Sequence, residues 1–139
     1  MLNVEIRASE RGDRGAILRG LRAYNTSNVG LSRWKPLLIV AREGRRIAGG
    51  LRGESSWDWL FVRHLWVHER HRGDGLGRRL LRLAEKEARR RGCTAVWLDT
   101  YDFQAPRFYK RLGYREFGRL AGCPVRGHRR FFLYRVLSK

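Results

Sequence analysis

The strongest pattern of hydrophobic and polar positions flanks a glycine-rich stretch in the middle of the chain. Residues 57–67 before it are rich in aromatic and β-branched side chains, which predicts a buried strand. Small and apolar residues after it recur at the spacing of one helix face: Gly77, Leu80, Leu81, Ala84 and Ala88. The pattern therefore predicts a strand, a tight turn and an amphipathic helix in succession.

Shorter patterns predict the remaining elements. Val4 and Ile6 alternate with polar neighbours, which predicts an edge strand over 3–7. Asp13 is placed to cap a helix that starts at Arg14, and the polar residues 25–28 are expected to end it. Further strands are predicted over 37–42, 46–52, 94–100, 114–120 and 129–137, a short helix over 106–112, and turns at 43–45 and 54–56. This order predicts an α/β fold with a mixed, mostly antiparallel sheet flanked by helices.

Length and composition fit one domain over residues 1–139. A hydrophobic content of 42% with five tryptophans can fill a core. No signal peptide or membrane-spanning apolar run is recognisable, so a cytoplasmic protein without membrane attachment is expected. Cys93 and Cys123 have no CxxC spacing, so neither a zinc site nor a disulfide framework is indicated, and no metal is expected.

The net charge of +18 comes from 31 basic residues against 13 acidic ones. Nucleic acid, an acidic partner or an anionic cofactor could each exploit that charge. Nearly all the basic residues are arginine, which a codon bias also produces, so nucleic acid is a weak expectation. Part of the charge is expected on a solvated helix face, as the i,i+4 pairs Glu85–Arg89 and Glu87–Arg91.

The stretch from Arg72 to Arg78 has the features of an anion-binding turn. Three alternating glycines (Gly73, Gly75 and Gly77) let the backbone pass close to a ligand. Backbone N–H groups at the start of the following helix attract phosphate oxygens. A P-loop would need Gly-Lys-Ser or Gly-Lys-Thr, and a Rossmann turn would need a third glycine at position 78, where an arginine stands. The stretch predicts a pyrophosphate-binding turn, and the alternative is a loop that only links strand to helix.

Three spaced blocks carry a resemblance to a known family. The first is Arg-x-x-Gly-x-Gly, read on Arg72, Gly75 and Gly77, which resembles the acetyl-CoA motif of the GNAT acetyltransferase superfamily. The second, over residues 105–114, resembles that family's Ala-x-x-Phe-Tyr-x-x-x-Gly-Phe/Tyr signature. The third, over 124–128, is similar to a segment of some small-amine members. Together the blocks span residues 57–137.

The resemblance implies the GNAT acyl-CoA N-acyltransferase fold, acetyl-CoA as donor, and direct attack by a primary amine. In that family two central strands splay, and backbone groups of the first pair with pantetheine. Asp102 stands where the family often has an asparagine, and Gln104 could take over its hydrogen bond. The cofactor-binding residues implied are Leu65, Trp66, Val67, Arg72, Gly73, Asp74, Gly75, Leu76, Gly77, Arg78, Asp102, Gln104, Tyr109 and Arg111.

Two side chains are the candidate catalytic groups. Tyr109 matches the tyrosine that protonates the departing thiolate in many relatives, and its alternative role is packing on the sheet. His128 carries an imidazole, the side-chain type best suited to proton exchange at physiological pH, and stands where some small-amine relatives place a catalytic histidine, so it is the candidate base. Asp58, His64 and a water chain to Glu54 are the rival bases.

The acceptor cannot be identified from sequence. Its pocket is expected from residues 20–35, 53–58 and 119–130. A small-molecule amine is the first expectation, and a protein or peptide amine is the second. The third alternative, from a different class, is a non-catalytic arginine-rich domain that binds nucleic acid. Dimers are frequent in the family, so a homodimer is expected by analogy alone.

Overall fold

A computed structural model describes residues 1–9 and 11–138. The chain divides into two compact units, Met1–Ser32 and Arg33–Lys139, which are described separately. Within the described residues, no helix has both the length and the apolar character needed to cross a membrane. The expectation of one domain over 1–139 stays a prediction.

The first unit contains one helix, α1, over Asp13–Val29. Asp13 lies inside its first turn and Gly12 takes the N-cap position, so the predicted capping role of Asp13 is wrong. The helix also continues through 25–28, because Ser27 Oγ and Asn28 Nδ2 donate to the Tyr24 carbonyl and so satisfy these polar side chains within the helix.

Residues 3–7 form no strand, which corrects another prediction for this unit. Only Val4 and Ile6 carried the alternating pattern, and both side chains are exposed. Two exposed apolar residues bury too little surface to fix a strand.

The second unit contains a six-stranded sheet. Its elements are β1 (Lys35–Glu43), β2 (Arg46–Ser56), β3 (Trp59–Val67), a 3₁₀ turn (Glu69–His71), α2 (Leu76–Arg90), β4 (Ala95–Tyr101), α3 (Pro106–Arg111), β5 (Arg115–Ala121) and β6 (Arg129–Val136). The strand order is β1-β2-β3-β4-β6-β5, and β3 with β4 is the parallel pair among antiparallel neighbours. The predicted mixed, mostly antiparallel sheet is confirmed.

The predicted turn at 54–56 is wrong. Strand β2 runs on to Ser56, and the chain reverses at Trp57 and Asp58 before β3. Trp57 has a φ of 50°. The polar residues Ser55 and Ser56 looked like a turn, but Ser55 is buried in the sheet. Its hydroxyl accepts from Arg91 Nη1 at 3.0 Å, and that bond offsets the cost of burying it.

Helix α2 covers one face of the sheet through its small and apolar stripe. The largest fully buried apolar side chains of this core are Leu51, Leu60, Leu81, Leu98, Leu133 and Val96. Burying such side chains contributes about 1.5–3 kcal/mol each, so this interface is the main source of stability for the unit. Sequence periodicity had identified that stripe correctly.

Glu85 departs from the expected solvated face of α2. Its side chain is 1% exposed and accepts hydrogen bonds of 2.7 Å from Arg82, Tyr114 and Arg135. The predicted Glu85–Arg89 pair is therefore wrong, because the carboxylate turns into the core. The predicted Glu87–Arg91 pair is confirmed at 2.8 Å.

Strands β3 and β4 separate halfway along their length. Their parallel pairing covers Trp59–Val62 against Ala95–Leu98 and ends there. On the other edge of β3, the register with β2 jumps from Val62 to His64, so Arg63 is an extra bulged residue. A Cβ at Gly53 would collide with the Phe61 carbonyl, which explains the glycine opposite this bulge. The bulge at Arg63 and the end of the β3–β4 pairing after Val62 lie next to each other, so the sheet opens at this point along β3.

Candidate active site

The turn before α2 presents backbone N–H groups rather than side chains. Gly73 and Gly75 both have a φ of 84°, which glycine adopts without strain. Gly75 is the N-cap of α2, and no side chain caps this helix end. The backbone N–H groups of the first helical turn, from Leu76 to Arg78, are therefore open to a ligand. The exposed side chain of Arg78 lies in the same turn.

Arg72 and Asp74 flank this turn with exposed side chains. Arg72 Nε donates to the Val67 carbonyl at 3.0 Å and ties the turn to the end of β3. The bond holds the turn at the open end of the separated strands.

Gly77 lies where three elements meet. A Cβ added there would be 3.3 Å from Phe108 Cζ and 3.6 Å from Val67 Cγ2. The glycine thus lets β3, α2 and α3 approach closely. The first and second sequence blocks are in contact at this residue.

The stretch from Leu65 to Val67 lies beyond the last pair between β3 and β4. Leu65 and Val67 pack against the core, and Trp66 is exposed on the opposite face. These residues pair with β2 on one edge, and their other edge faces the gap. Such an edge can pair with an extended ligand, as a further strand would.

Tyr109 is buried on α3, next to Phe108 and Tyr114. Burial, and then the negative charge of Asp99, raises the pKa of Tyr109 to about 12. The phenol therefore keeps its proton at neutral pH. It can donate a hydrogen bond to an anion that forms nearby.

His128 and Asp102 form a pair between the end of β4 and the start of β6. His128 Nδ1 lies 3.1 Å from Asp102 Oδ1. Burial would raise the pKa of Asp102, but the hydrogen bonds from His128 and the Arg129 backbone outweigh it and lower that pKa. An ionised carboxylate only accepts, so Nδ1 carries the proton and Nε2 of the neutral ring is free to accept one.

Gln104 and Arg111 take different positions. Gln104 Oε1 accepts from Thr100 Oγ1 at 3.1 Å and from the Tyr101 backbone N–H at 2.8 Å, so its carbonyl holds the turn after β4. Arg111 is exposed at the C-terminal end of α3. A cofactor contact by either residue stays a prediction.

The rival bases are distributed around the sheet. Asp58 is exposed in the turn before β3. His64 is exposed, with its Nδ1 3.1 Å from Arg52 Nη1. Glu54 Oε1 and Oε2 accept from Arg63 Nε at 2.8 and 3.0 Å, so the carboxylate is already paired with a guanidinium. Two further histidines lie near the turn: His71 pairs with Glu43 at 2.9 Å, and His68 accepts from the Arg70 N–H.

A cavity of about 560 Å³ lies on the sheet face opposite α2. Its lining residues are Glu54, Ser56, Trp57, Trp59, Phe61, Arg63, Trp97, Asp99, Arg130 and Phe132. The expected pocket segments 53–58 and 119–130 contribute to this lining. The rest comes from residues of β3, β4 and β6 on the face away from α2, and the sequence analysis had not assigned them to a pocket.

Those strand residues were missed because the run from Trp59 to Val67 is apolar on both faces. The signal that could have found them is the period of two. Leu60 and Val62 face α2, whereas Trp59, Phe61 and the bulged Arg63 alternate onto the other side. In the described ranges 1–9 and 11–138, no cluster of three or more His, Cys, Asp or Glu side chains could hold a metal ion.

The fold and this site define an acetyltransferase of the GNAT type. The profile of the Acetyltransferase (GNAT) family matches residues 7–114, and the chain belongs to that family. It is 40% identical over 120 residues to the blasticidin-S acetyltransferase of Streptomyces morookaense, covering 83% of this chain and 85% of that protein. An acetyltransferase of Agrobacterium fabrum is 41% identical over 106 residues, 76% of this chain and 77% of its own length.

Solved structures agree with that assignment. An acetyltransferase from Bacillus cereus superposes with a TM-score of 0.87 at 33% identity, covering 96% of this chain and 98% of that one. The resemblance found in the sequence, and the enzyme class it implied, are confirmed.

Proposed function

We propose that the enzyme transfers the acetyl group of acetyl-CoA to a primary amine of a small molecule by direct attack. One observation carries the proposal: the cavity reaches the level at which β3 and β4 separate. Arg63 and Asp99, the residues that directly follow the last paired positions, both line the cavity. A thioester held in the gap would meet an amine that enters from the cavity.

The donor side uses backbone groups. The amides at the start of α2 would bind the pyrophosphate, with Arg72 and Arg78 adding charge. The edge from Leu65 to Val67 that faces the gap would pair with pantetheine, beside the Val67 carbonyl that already accepts from Arg72. An N–H there would hold the thioester oxygen as negative charge develops in the transition state.

Tyr109 is the proposed general acid. A thiol has an ordinary pKa of about 8.5, well below that of the buried phenol, so complete proton transfer to the thiolate is uphill. The phenol then acts mainly by donating a hydrogen bond as the carbon–sulfur bond breaks. Its proton can follow once a stronger acid, such as the positively charged nitrogen of the tetrahedral intermediate, resupplies it.

His128 is the proposed base, with Asp102 fixing the ring so that Nε2 accepts the proton. His128 does not line the cavity, but it lies two residues before Arg130, which does. The proton would reach Nε2 through water.

The relatives' names favour a small acceptor over a protein or peptide. One relative is named for blasticidin-S, and another, 38% identical over 63 residues, is named for streptothricin. Nucleic-acid binding is the remaining alternative, since arginines and aromatic rings do alternate on the sheet face that carries the cavity. Arg63 and Arg130 are each paired with a carboxylate, however, and are not available to phosphates.

A screen of amines with intact acetyl-CoA tests the proposal. Blasticidin S, streptothricin and simple primary amines are supplied in turn, and free thiol is measured over time. We expect saturable thiol release with at least one small amine and a product that gains one acetyl group. Acetylation of peptide amines alone, or salt-sensitive RNA binding without thiol release, would contradict the proposal. The homodimer and the cytoplasmic location stay predictions.

A further inference from the structure

The cavity has two chemically different ends. Along β3, Trp59 and Phe61 come first and Arg63 follows at the level where the strands separate. Along β4, Trp97 comes first and Asp99 follows. The backbone positions of Phe61 and Arg63 are about 7 Å apart, at 3.3 Å per residue, but the Arg63 guanidinium lies over the Phe61 ring, with Cζ 5.0 Å from the ring centroid. The aromatic surface farther from the charges is therefore that of Trp59 and Trp97.

The charged side chains at one end of the cavity have no net charge together. Arg63 Nη2 lies 2.6 Å from Glu54 Oε1, and Arg130 Nη2 lies 2.9 Å from Asp99 Oδ1. Two cations and two anions cancel, so no net field draws in a highly charged acceptor. An acceptor with many ammonium groups or several phosphates gains little from this cavity.

The aromatic end offers flat apolar surface. Phe61 and Trp97 stack with centroids 4.1 Å apart, and Trp59 is 41% exposed beside them. Rings gain most from a flat partner that stacks or meets them edge to face. A puckered aliphatic group cannot match that contact.

Trp57 adds a second, independent observation. Its φ of 50° lies in the left-handed region, which costs a bulky residue energy and suits asparagine or glycine in a hairpin turn. The strained residue nevertheless lines the cavity. A strained backbone conformation at a residue that lines a cavity favours a role for that residue in binding.

We infer that the acceptor carries its amine close to an uncharged flat ring, which packs against Trp57, Trp59 and Trp97. The amine then lies at the charged end, beside the gap between β3 and β4. This inference rests on the proposed function, because it deepens the nature of the acceptor at the same site.

Benzylamine and cyclohexylmethylamine form a matched pair of probes, with the same carbon and nitrogen skeleton and a flat or a puckered ring. Binding to the full chain in the presence of CoA is measured by ligand-observed NMR titration, and thiol release with acetyl-CoA is measured in parallel. We expect benzylamine to bind about 3- to 10-fold more tightly, the range that an aromatic pair provides.

Two variants locate the effect. Trp57→Asn removes the ring and relieves the turn, so the preference should shrink while the thermal unfolding midpoint holds or rises. Trp57→Phe keeps a flat ring and should keep most of the preference. Equal binding of both probes, or a preference that is undiminished in Trp57→Asn, would overturn the inference.

Binding and turnover separate this inference from the proposed function. Acetylation of both amines with no binding preference would leave the proposed function in place and overturn the flat-ring acceptor. A binding preference without thiol release from any amine would support the flat-ring site and count against amine acetylation.

Discussion

Gly75 and Gly92 bound the same helix and have nearly the same backbone conformation, with φ of 84° and 86°. A Cβ would meet no heavy atom within 4 Å at either position. Valine should therefore cost each site a similar amount of stability, about 1–2 kcal/mol from the left-handed conformation. The two sites differ in what lies beside them, since Gly75 belongs to the proposed pyrophosphate turn.

We expect Gly75→Val to weaken acetyl-CoA binding about tenfold or more, because the branched side chain displaces the phosphates and disturbs the amides. Gly92→Val, at the far end of α2, is the control and should bind with wild-type affinity. Calorimetric titration and thermal unfolding of both variants measure the two effects. Equal loss of affinity in both would mean that stability, and not the turn, controls binding.

Tyr109 and Tyr114 allow a matched test of the acid. Both are buried, but only Tyr114 has a hydrogen bond to Glu85. Tyr109→Phe should lower kcat about 10²-fold, the low end for general acids, with little change in acetyl-CoA affinity. Tyr114→Phe should leave kcat unchanged and lower the free energy of unfolding by about 1–3 kcal/mol, the cost of a lost buried donor. A Tyr109→Phe enzyme with wild-type kcat would assign the acid to water.

The raised pKa of Tyr109 also predicts a stability change in alkaline solution. An unfolded tyrosine ionises near pH 10, whereas the buried one holds its proton to about 12. The contribution of the protonated Tyr109 hydroxyl to the free energy of unfolding is therefore fully present below about pH 10 and is lost as the pH rises toward 12.

Between those values the wild-type free energy of unfolding should fall by about 2 kcal/mol more than that of Tyr109→Phe. Tyr114 also has a raised pKa, chiefly from burial and then from Glu85, and is present in both proteins, so its effect cancels. Urea unfolding at a series of alkaline pH values provides the measurement. Parallel curves for the two proteins would show that the Tyr109 hydroxyl is not buried in solution.

Sequence predicted the half of the site that depends on local chemistry. The turn at Gly73 and Gly75 follows from the backbone conformation that glycine permits, and the apolar stripe of α2 follows from the helical period. Both can be predicted from residues close together in the sequence. The strand residues that line the cavity were missed because their contribution depends on which face each of them takes. A single bulge at Arg63 changes that assignment, and it is set by pairing with β2, 10 residues earlier at Gly53.

Glu85 is a second residue whose environment depends on long-range contacts, and it is buried where the sequence predicted exposure. Its helical spacing predicted an exposed pair with Arg89, but its partners Tyr114 and Arg135 come from distant parts of the chain. A carboxylate on an amphipathic helix carries no local sign that a long-range arginine and a tyrosine will satisfy it in the core.

That buried network predicts a strong stability effect. Glu85→Ala leaves Arg135 and the Tyr114 hydroxyl without their acceptor, so we expect a loss of about 3–5 kcal/mol in the free energy of unfolding. Glu87→Ala, two residues along the same helix, removes a carboxylate that pairs with Arg90 and Arg91 near the surface. Its cost should be much smaller. Denaturant unfolding compares the two, and similar losses would argue against the buried network.

The pair of His128 and Asp102 supplies the last prediction. If the His128 ring takes the proton of the amine, kcat/KM should fall in acid as the ring becomes charged. The lowered pKa of Asp102 keeps that carboxylate ionised into more acidic solution than usual, so the acidic limb reports the imidazole and not its partner.

His128→Ala should lower kcat/KM and remove the acidic limb, with acetyl-CoA binding intact. Asp102→Asn keeps the shape of its side chain but loses the charge that orients Nδ1, so it should lower kcat and move the limb to lower pH, because a charged ring loses its anionic partner. The pH profiles of both variants, with thermal unfolding as the check on folding, provide the measurement. If activity falls while the limb stays in place, the pair is structural. A base on the cavity wall then becomes the better assignment, with Glu54 acting through water.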